Sequence, residues 1–285
     1  MVGVNSMYFR IYDAGMTLDA PKSLQPKANR HATELAEPPL TPSLSSLQSA
    51  QAAPESAQFF VLIPCAGHGS RAGRDGPKQY QHLLGKAMVW HTLQAFRQLG
   101  AALSAVAVVV APDDTGFEIA CPDFGQSNER RFCVGGATRA DSVLAGLREL
   151  ELSGASQDDW VLVHDAARCL IEPAQILALI AACRNDAVGG LLALPLADTL
   201  KTAINGRIAT TLNRDGKWLA QTPQMFRLGP LIQAMLSAGT LVTDESSAME
   251  FVGLSPLLVA GSAQNFKVTY PADFALAEAV LSSRI

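Results

Sequence analysis

Gly67, Gly69 and Gly73 alternate with Arg71, Arg74 and Lys78 in the run "PCAGHGSRAGRDGPKQY", directly after the apolar stretch "FFVLIP". Glycines so placed let a backbone curve until successive amides point inward at an anion, and cationic side chains add full charges. That composition suits a triphosphate, although a solvated basic loop would share it. The dinucleotide fingerprint G-x-G-x-x-G/A is formally met by Gly67, Gly69 and Ala72. It needs a helix opening inside the glycines and a carboxylate about 20 residues later. Here the helical pattern starts only near Lys86, past Pro77, and the stretch around Thr92 is apolar. No Gly-Lys pair precedes Ser or Thr, so the Walker pattern is absent too.

A carboxylate, Asp165, closes the apolar run "WVLVHD". An acid at a strand end is placed for chemistry in an open sheet, and Asp is equally a preferred cap for a helix over "AARCLIEPAQ". In "GGATRADSVLAGLREL" a diglycine turn precedes a helix beginning near Thr138, with Val143, Leu144, Leu147 and Leu150 at helical spacing. The N-terminus of that helix offers free amides.

These residues need a scaffold. From Phe59 onward, apolar runs such as "FFVLIP", "AVAVVVA" and "WVLVHDAA" alternate with helical segments such as "AMVWHTLQAFRQL" and "PAQILALIAACR". The alternation predicts an α/β fold with a parallel sheet covered on both faces, its ligand site at the carboxyl ends of the strands. After "AVGGLLALPL" the pattern breaks into "ADTLKTAINGRIATTLNRDGKWLAQTP", where "NG" and "RDG" mark tight turns. This is expected to be a hairpin arm, about residues 197–220. Helical pattern returns at "LGPLIQAMLSAG" and "DESSAMEFV", followed by a strand "PLLVAG" and a final helix "PADFALAEAVLSS".

A chain of 285 residues, 48% of them apolar, can bury a sizeable core. The net charge of −4 gives no bulk attraction to nucleic acid or an anionic membrane, so any basic function must be local. No stretch approaches the roughly 18 apolar residues of a membrane span. The five cysteines, Cys65, Cys121, Cys133, Cys169 and Cys183, are scattered, without metal-ligand spacing, as expected of reduced thiols in a cytoplasmic protein. Residues 1–57 differ from the rest. Rich in Pro, Ser, Gln and Ala, they read as a disordered tail without signal or transit character, leaving residues 58–285 as the folded domain.

The order of motifs resembles the nucleotidyltransferases, specifically the 2-C-methyl-D-erythritol 4-phosphate cytidylyltransferase family of the non-mevalonate isoprenoid pathway. The resemblance covers nearly everything after the tail. It is carried by "PCAGHGSRAGRDGPKQY", "GGATRADSV", "VLVHDAAR", "DTLK", "NRDGKWLAQTPQMF", "TDESSAMEF" and "NFKVT". It implies a doubly wound, mostly parallel, Rossmann-like sheet with a β-arm that clasps a second subunit in a homodimer. It also implies cytidylyl transfer from CTP to methylerythritol phosphate with release of pyrophosphate and with Mg2+ as cofactor. The nucleophile is already an anion and needs no general base, so the protein's task is positioning and charge stabilisation.

By the same resemblance, Arg71, Lys78, Asp165 and Lys267 are the catalytic residues, with Asp165 also the metal contact. Ala66, Gly67, Gly69, Gly135, Gly136, Arg139, Ser142 and Ala166 fall to the nucleotide, Gly135, Gly136 and Ser142 facing cytosine. Arg139 either holds its loop or reaches the triphosphate. Arg168, Thr199, Arg214, Thr222 and Thr243 fall to the polyol phosphate. Singly these are ordinary: Thr199 suits any β-strand, Thr243 suits a helix cap before "DESSA", and Lys267 suits a solvated strand end. His164 is expected to be structural.

Cys65 stands where the family commonly has alanine, His68 lies at a variable loop position, and Cys169 replaces a proline common after "DAAR". Without that proline the turn after Arg168 is less constrained in φ. Cys169 is expected to be inertly packed. A cytidylyltransferase for another polyol phosphate, such as ribitol 5-phosphate, would share the loop and the base pocket. A silent nucleotide-binding module would be expected to lose the loop cations or Asp165 first, and they are present.

Overall fold

The computed structural model describes residues 57–67 and 76–284. The tail expected over residues 1–57 lies, apart from Ala57, outside the described residues, as do Gly69, Arg71 and the rest of 68–75.

Strand β1 (Phe59–Pro64) leads to a small hairpin of β2 (His82–Leu83) and β3 (Lys86–Ala87) and then to helix α1 (Met88–Arg97). Strand β4 (Ala105–Val109), the short α2 (Phe117–Ala120), β5 (Glu129–Phe132), α3 (Arg139–Leu152), β6 (Trp160–Val163) and α4 (Pro173–Cys183) follow. Next come β7 (Gly189–Pro195), β8 (Leu200–Ile204), β9 (Arg207–Leu212) and β10 (Trp218–Arg227). The chain continues through α5 (Leu228–Ala238), α6 (Glu245–Phe251), β11 (Leu257–Ala260) and α7 (Pro271–Ser282).

The seven-stranded sheet has the order β11-β7-β10-β6-β1-β4-β5. β1 pairs in parallel with both β4 and β6, and only β10 runs antiparallel to its neighbours. Alternation along the strands explains the two covered faces. Val61 and Ile63 pack with Leu93 and Phe96 of α1 and with Ile176 and Leu179 of α4. Leu62, one residue out of phase, packs with Val143 and Leu147 of α3 and with Leu231 of α5. A third cluster joins Phe274 and Ala277 of α7 to Ala167, Cys169 and Leu170, and so anchors the segment beyond β6.

Residues 197–220 contain a hairpin, β8 and β9, that is shorter than the composition suggests. β8 and β9 form a separate two-stranded sheet turned by Asn205 and Gly206, both at positive φ of 50° and 74°, as a type I′ turn demands. Trp218–Ala220, placed by pattern in the arm, belong instead to β10 and pair with Pro195–Ala193 of β7. Every residue of β9 is exposed.

Candidate active site

β1 lies between β4 and β6, so the chain leaves it in one direction along the sheet and later returns on the other side. Ligand crevices form at such switch points, beyond the strands' carboxyl ends. A cavity of about 290 Å3 lies there. Its walls are Pro64–Gly67, Lys78 and Gln79, Gly136–Arg139, Ser142, Asp165–Ala167 and Lys267. Of the residues selected from sequence, Ala66, Gly67, Lys78, Gly136, Arg139, Ser142, Asp165, Ala166 and Lys267 thus meet in one place.

Asp165 is the electrostatic centre. Its Oδ1 accepts from Arg139 Nε at 2.7 Å, its Oδ2 from Lys267 Nζ at 2.7 Å, and Arg168 Nε stands 3.8 Å from Oδ2. Burial raises the carboxyl's pKa, but Arg139 and Lys267 overcome that and hold it well below the ordinary carboxylate range. Asp165 does not cap a helix, since the next one, α4, begins at Pro173. Arg139 carries a second carboxylate, the fully buried Glu245, through Nη1 at 2.7 Å and Nη2 at 3.0 Å. Burial alone would lower the Arg139 pKa, and the two carboxylates push it up instead.

The cavity's other walls are built locally. Thr138 caps α3, accepting the Asp141 N–H at 3.1 Å, while Asp141 accepts the Thr138 N–H at 3.0 Å. The Ser142 hydroxyl accepts from Gly136 N–H at 3.0 Å and donates to the Thr138 carbonyl at 2.9 Å, so it shapes the diglycine turn as well as lining the cavity. At Gly135 a β-carbon would sit 2.3 Å from Ala66 Cβ, so glycine is required for the two loops to touch. Gln79, whose role no local pattern signals, donates its amide nitrogen to the carbonyls of Cys65 (2.9 Å) and Gly67 (2.8 Å), clamping the stem of the glycine-rich run. Lys78 Nζ donates to the Val268 carbonyl at 2.7 Å.

The residues expected on the acceptor side are dispersed. Arg168 donates to the carbonyls of Asn265 (2.7 Å) and Ala220 (3.2 Å) while facing Asp165, so the turn holds its direction without the family's proline. The Thr222 hydroxyl is engaged internally, with Asp165 and His164. Thr199 and Arg214 are exposed at the base of the arm, where Arg214 donates to the Ala197 carbonyl. Thr243 is exposed beside α6, whose cap is not Thr243 but Asp244, accepting from Ser247 N–H at 2.9 Å. His164 does not line the cavity. Fully buried, it packs edge-on against Phe96, and burial pushes its pKa down to about 4. Cys169 is buried and its thiol is pushed up to about 12, which makes it inert.

Among the described residues no group of three or more His, Cys, Asp or Glu could hold a metal ion. A single carboxylate such as Asp165 fits magnesium only when phosphate oxygens and water supply the other ligands.

The family model for 2-C-methyl-D-erythritol 4-phosphate cytidylyltransferase (IspD) matches residues 59–283. The chain belongs to this family. The IspD family assignment agrees with individual relatives. The chain is 63% identical over 229 residues to a bifunctional enzyme IspD/IspF of Albidiferax ferrireducens, covering 79% of this chain and 53% of that one. It therefore spans about half the length of that relative. It is 54% identical over 237 residues to a 2-C-methyl-D-erythritol 4-phosphate cytidylyltransferase of Cupriavidus pinatubonensis, covering 79% and 94% of the two chains. Among solved structures, a 4-diphosphocytidyl-2C-methyl-D-erythritol synthase superposes with a TM-score of 0.70 at 38% identity, covering 79% of this chain and 99% of that one. The IspD fold, a mostly parallel sheet flanked by helices, is thus the fold of this chain. Among the described residues no helix is long and apolar enough to cross a membrane.

Proposed function

We propose that this chain transfers the cytidylyl group of CTP to 2-C-methyl-D-erythritol 4-phosphate, giving 4-diphosphocytidyl-2-C-methyl-D-erythritol and pyrophosphate. The observation that carries the reading is the convergence of Arg139, Lys267 and Arg168 on one strand-end carboxylate beside a cavity walled by the glycine-rich stem and the start of α3. Family membership supplies the identity of the two substrates.

An acceptor phosphate oxygen attacks the α-phosphorus, the bond to the β-phosphate oxygen breaks, and pyrophosphate leaves with that electron pair. No proton needs to move, which agrees with a neutral, walled-in His164. Lys78 and Lys267 line the cavity as cations able to neutralise charge on the α-phosphoryl group and the leaving pyrophosphate. Arg71, outside the described residues, is assigned the same work. Gly136 and Ser142 line the cavity and, with Gly135 beside them, are assigned to the cytosine edge, which backbone and hydroxyl groups can read by its donors and acceptors. Magnesium, held by Asp165 and phosphate oxygens, would supply further neutralisation of the triphosphate. Arg168 and Thr222 stand on the acceptor side, joined by Thr199, Arg214 and Thr243 in a homodimer closed by the arms. The setting is the cytoplasm, in keeping with five free cysteines.

Pyrophosphate release is the test. Turnover with CTP and methylerythritol phosphate is expected, with ribitol 5-phosphate a far poorer acceptor. Equal turnover with ribitol 5-phosphate, or none with either, would overturn the assignment.

A further inference from the structure

Glu245 is the first residue of α6, and its side chain is 0% exposed. Both of its oxygens are bonded to Arg139, and the remaining edge of that guanidinium, Nε, is bonded to Asp165. A planar fork so occupied cannot turn toward a ligand without breaking a buried ion pair. The start of α6 is fixed in its turn. Gln224 of β10 donates to Asp244 Oδ2 at 2.8 Å and accepts the Ser246 N–H at 2.7 Å, so the residues on either side of Glu245 are tied to the sheet.

Lys267 differs. Its side chain is 41% exposed, against 25% for Arg139, and it meets Asp165 through one ammonium on a flexible stem at the cavity wall. Around Asp165 the three cations Arg139, Arg168 and Lys267 face the two carboxylates Asp165 and Glu245, leaving an excess of positive charge for an anion.

We propose that Glu245 is a positioning residue that makes Arg139 the permanent partner of Asp165 and leaves Lys267 as the partner that an entering phosphate draws away. This answers whether Arg139 holds its loop or reaches the triphosphate: it is a strut. The inference rests on the cytidylyl-transfer reading above. It adds that α6, which contributes no residue to the cavity wall, controls which cation is free to act.

The test is steady-state kinetics of the full chain, per folded site, for Glu245→Gln, Arg139→Gln and the double variant. Glu245→Gln keeps the shape and loses the charge. The expected result is a fall in kcat on the order of 10²-fold, the size of effect that a misplaced reacting group produces, with KM for CTP little changed. The double variant should be no slower than Arg139→Gln alone, because Glu245 acts through Arg139. A purely structural role would lower the melting temperature and leave kcat per folded site intact. A folded Glu245→Gln with wild-type kcat, or losses that multiply in the double variant, would overturn the proposal. Should Glu245→Gln fail to fold, Arg139→Lys takes its place, keeping the charge without the fork. A kcat fall of the same size supports the strut, and wild-type kcat overturns it. Absence of turnover in the wild-type chain would instead defeat the cytidylyl-transfer reading and this inference with it.

Discussion

The Thr222 hydroxyl accepts the backbone N–H of Asp165 at 3.0 Å and lies 3.1 Å from His164 Nδ1. One oxygen of the antiparallel β10 thereby fixes the strand-end turn of β6. The Arg168 carbonyl, 3.1 Å from His164 Nε2, can only accept, so Nε2 carries the ring proton and Nδ1 accepts from the Thr222 hydroxyl. The carboxylate that gathers the site's cations is thus oriented through its main chain by the Thr222 hydroxyl, which His164 holds from the other side.

Thr222→Val keeps the shape and leaves the Asp165 N–H and His164 Nδ1 unpaired. It should cost about 1–3 kcal/mol of stability, the usual penalty for a buried polar group left unsatisfied. Turnover should fall with it, and Thr222→Ser should restore most of both. Thermal melts and pyrophosphate release on the two variants check this; equal behaviour of Val and Ser would deny the bond its role.

His164 links stability to pH. Burial pushes its pKa down to about 4 in the folded chain, below the roughly 6.5 of a free histidine, so between these the unfolded chain binds the extra proton. Stability from this group is complete above about pH 6.5 and is lost as pH falls toward 4, by something on the order of 3 kcal/mol. Denaturant melts from pH 7 to 4 should show a flatter slope in His164→Gln than in the wild type. Parallel slopes would mean that His164 titrates normally.

Much of this architecture can be read from residue pattern, and the exceptions share a cause. The apolar runs at Phe59, Ala105 and Trp160 and the Asn205-Gly206 turn announce β1, β4, β6 and the arm, because local periodicity and turn chemistry suffice there. β10 does not announce itself. Its middle is Gln221, Thr222, Pro223 and Gln224, and a proline among polar residues argues against a central strand. The structure accommodates them with a register shift between Ala220 and Gln224 and uses their side chains for the bonds around Asp165, Asn265 and α6. Glu245 is hidden for a similar reason. An acid in a helix's first turn is ordinary dipole chemistry, and its partner Arg139 lies 106 residues away. The cavity residues are found through motif order, whereas their supports depend on pairings that no local pattern encodes.

Lys78 lines the cavity beside the glycine-rich stem. Lys78→Ala should lower kcat by on the order of 10²–10³, the range for removing one preorganised charge stabiliser, and Arg71→Ala should do the same. Circular dichroism should show both variants folded. Near-normal turnover in both would remove the loop cations from the mechanism.

Arg214 raises the question of which subunit it serves. It is exposed at the foot of an arm whose Ile204 and Ile208 are 67% and 70% exposed, and an uncovered apolar hairpin is normally paired or buried. A two-fold dimer in which each arm wraps the other subunit covers both at once. If Arg214 then completes the neighbour's acceptor site, Arg214→Ala and Lys78→Ala should each be nearly inactive alone and active when mixed and reassembled. In a mixed dimer one site collects both defects and the other none. Random equal mixing should therefore restore about a quarter of the wild-type sites. Mixing Lys78→Ala with Asp165→Ala is the control. Both residues border the same cavity of one chain, so every site in that mixed dimer stays defective and nothing should return. With subunit exchange verified by labelled chains, failure of the first mixture would place Arg214 in its own subunit's site or outside catalysis.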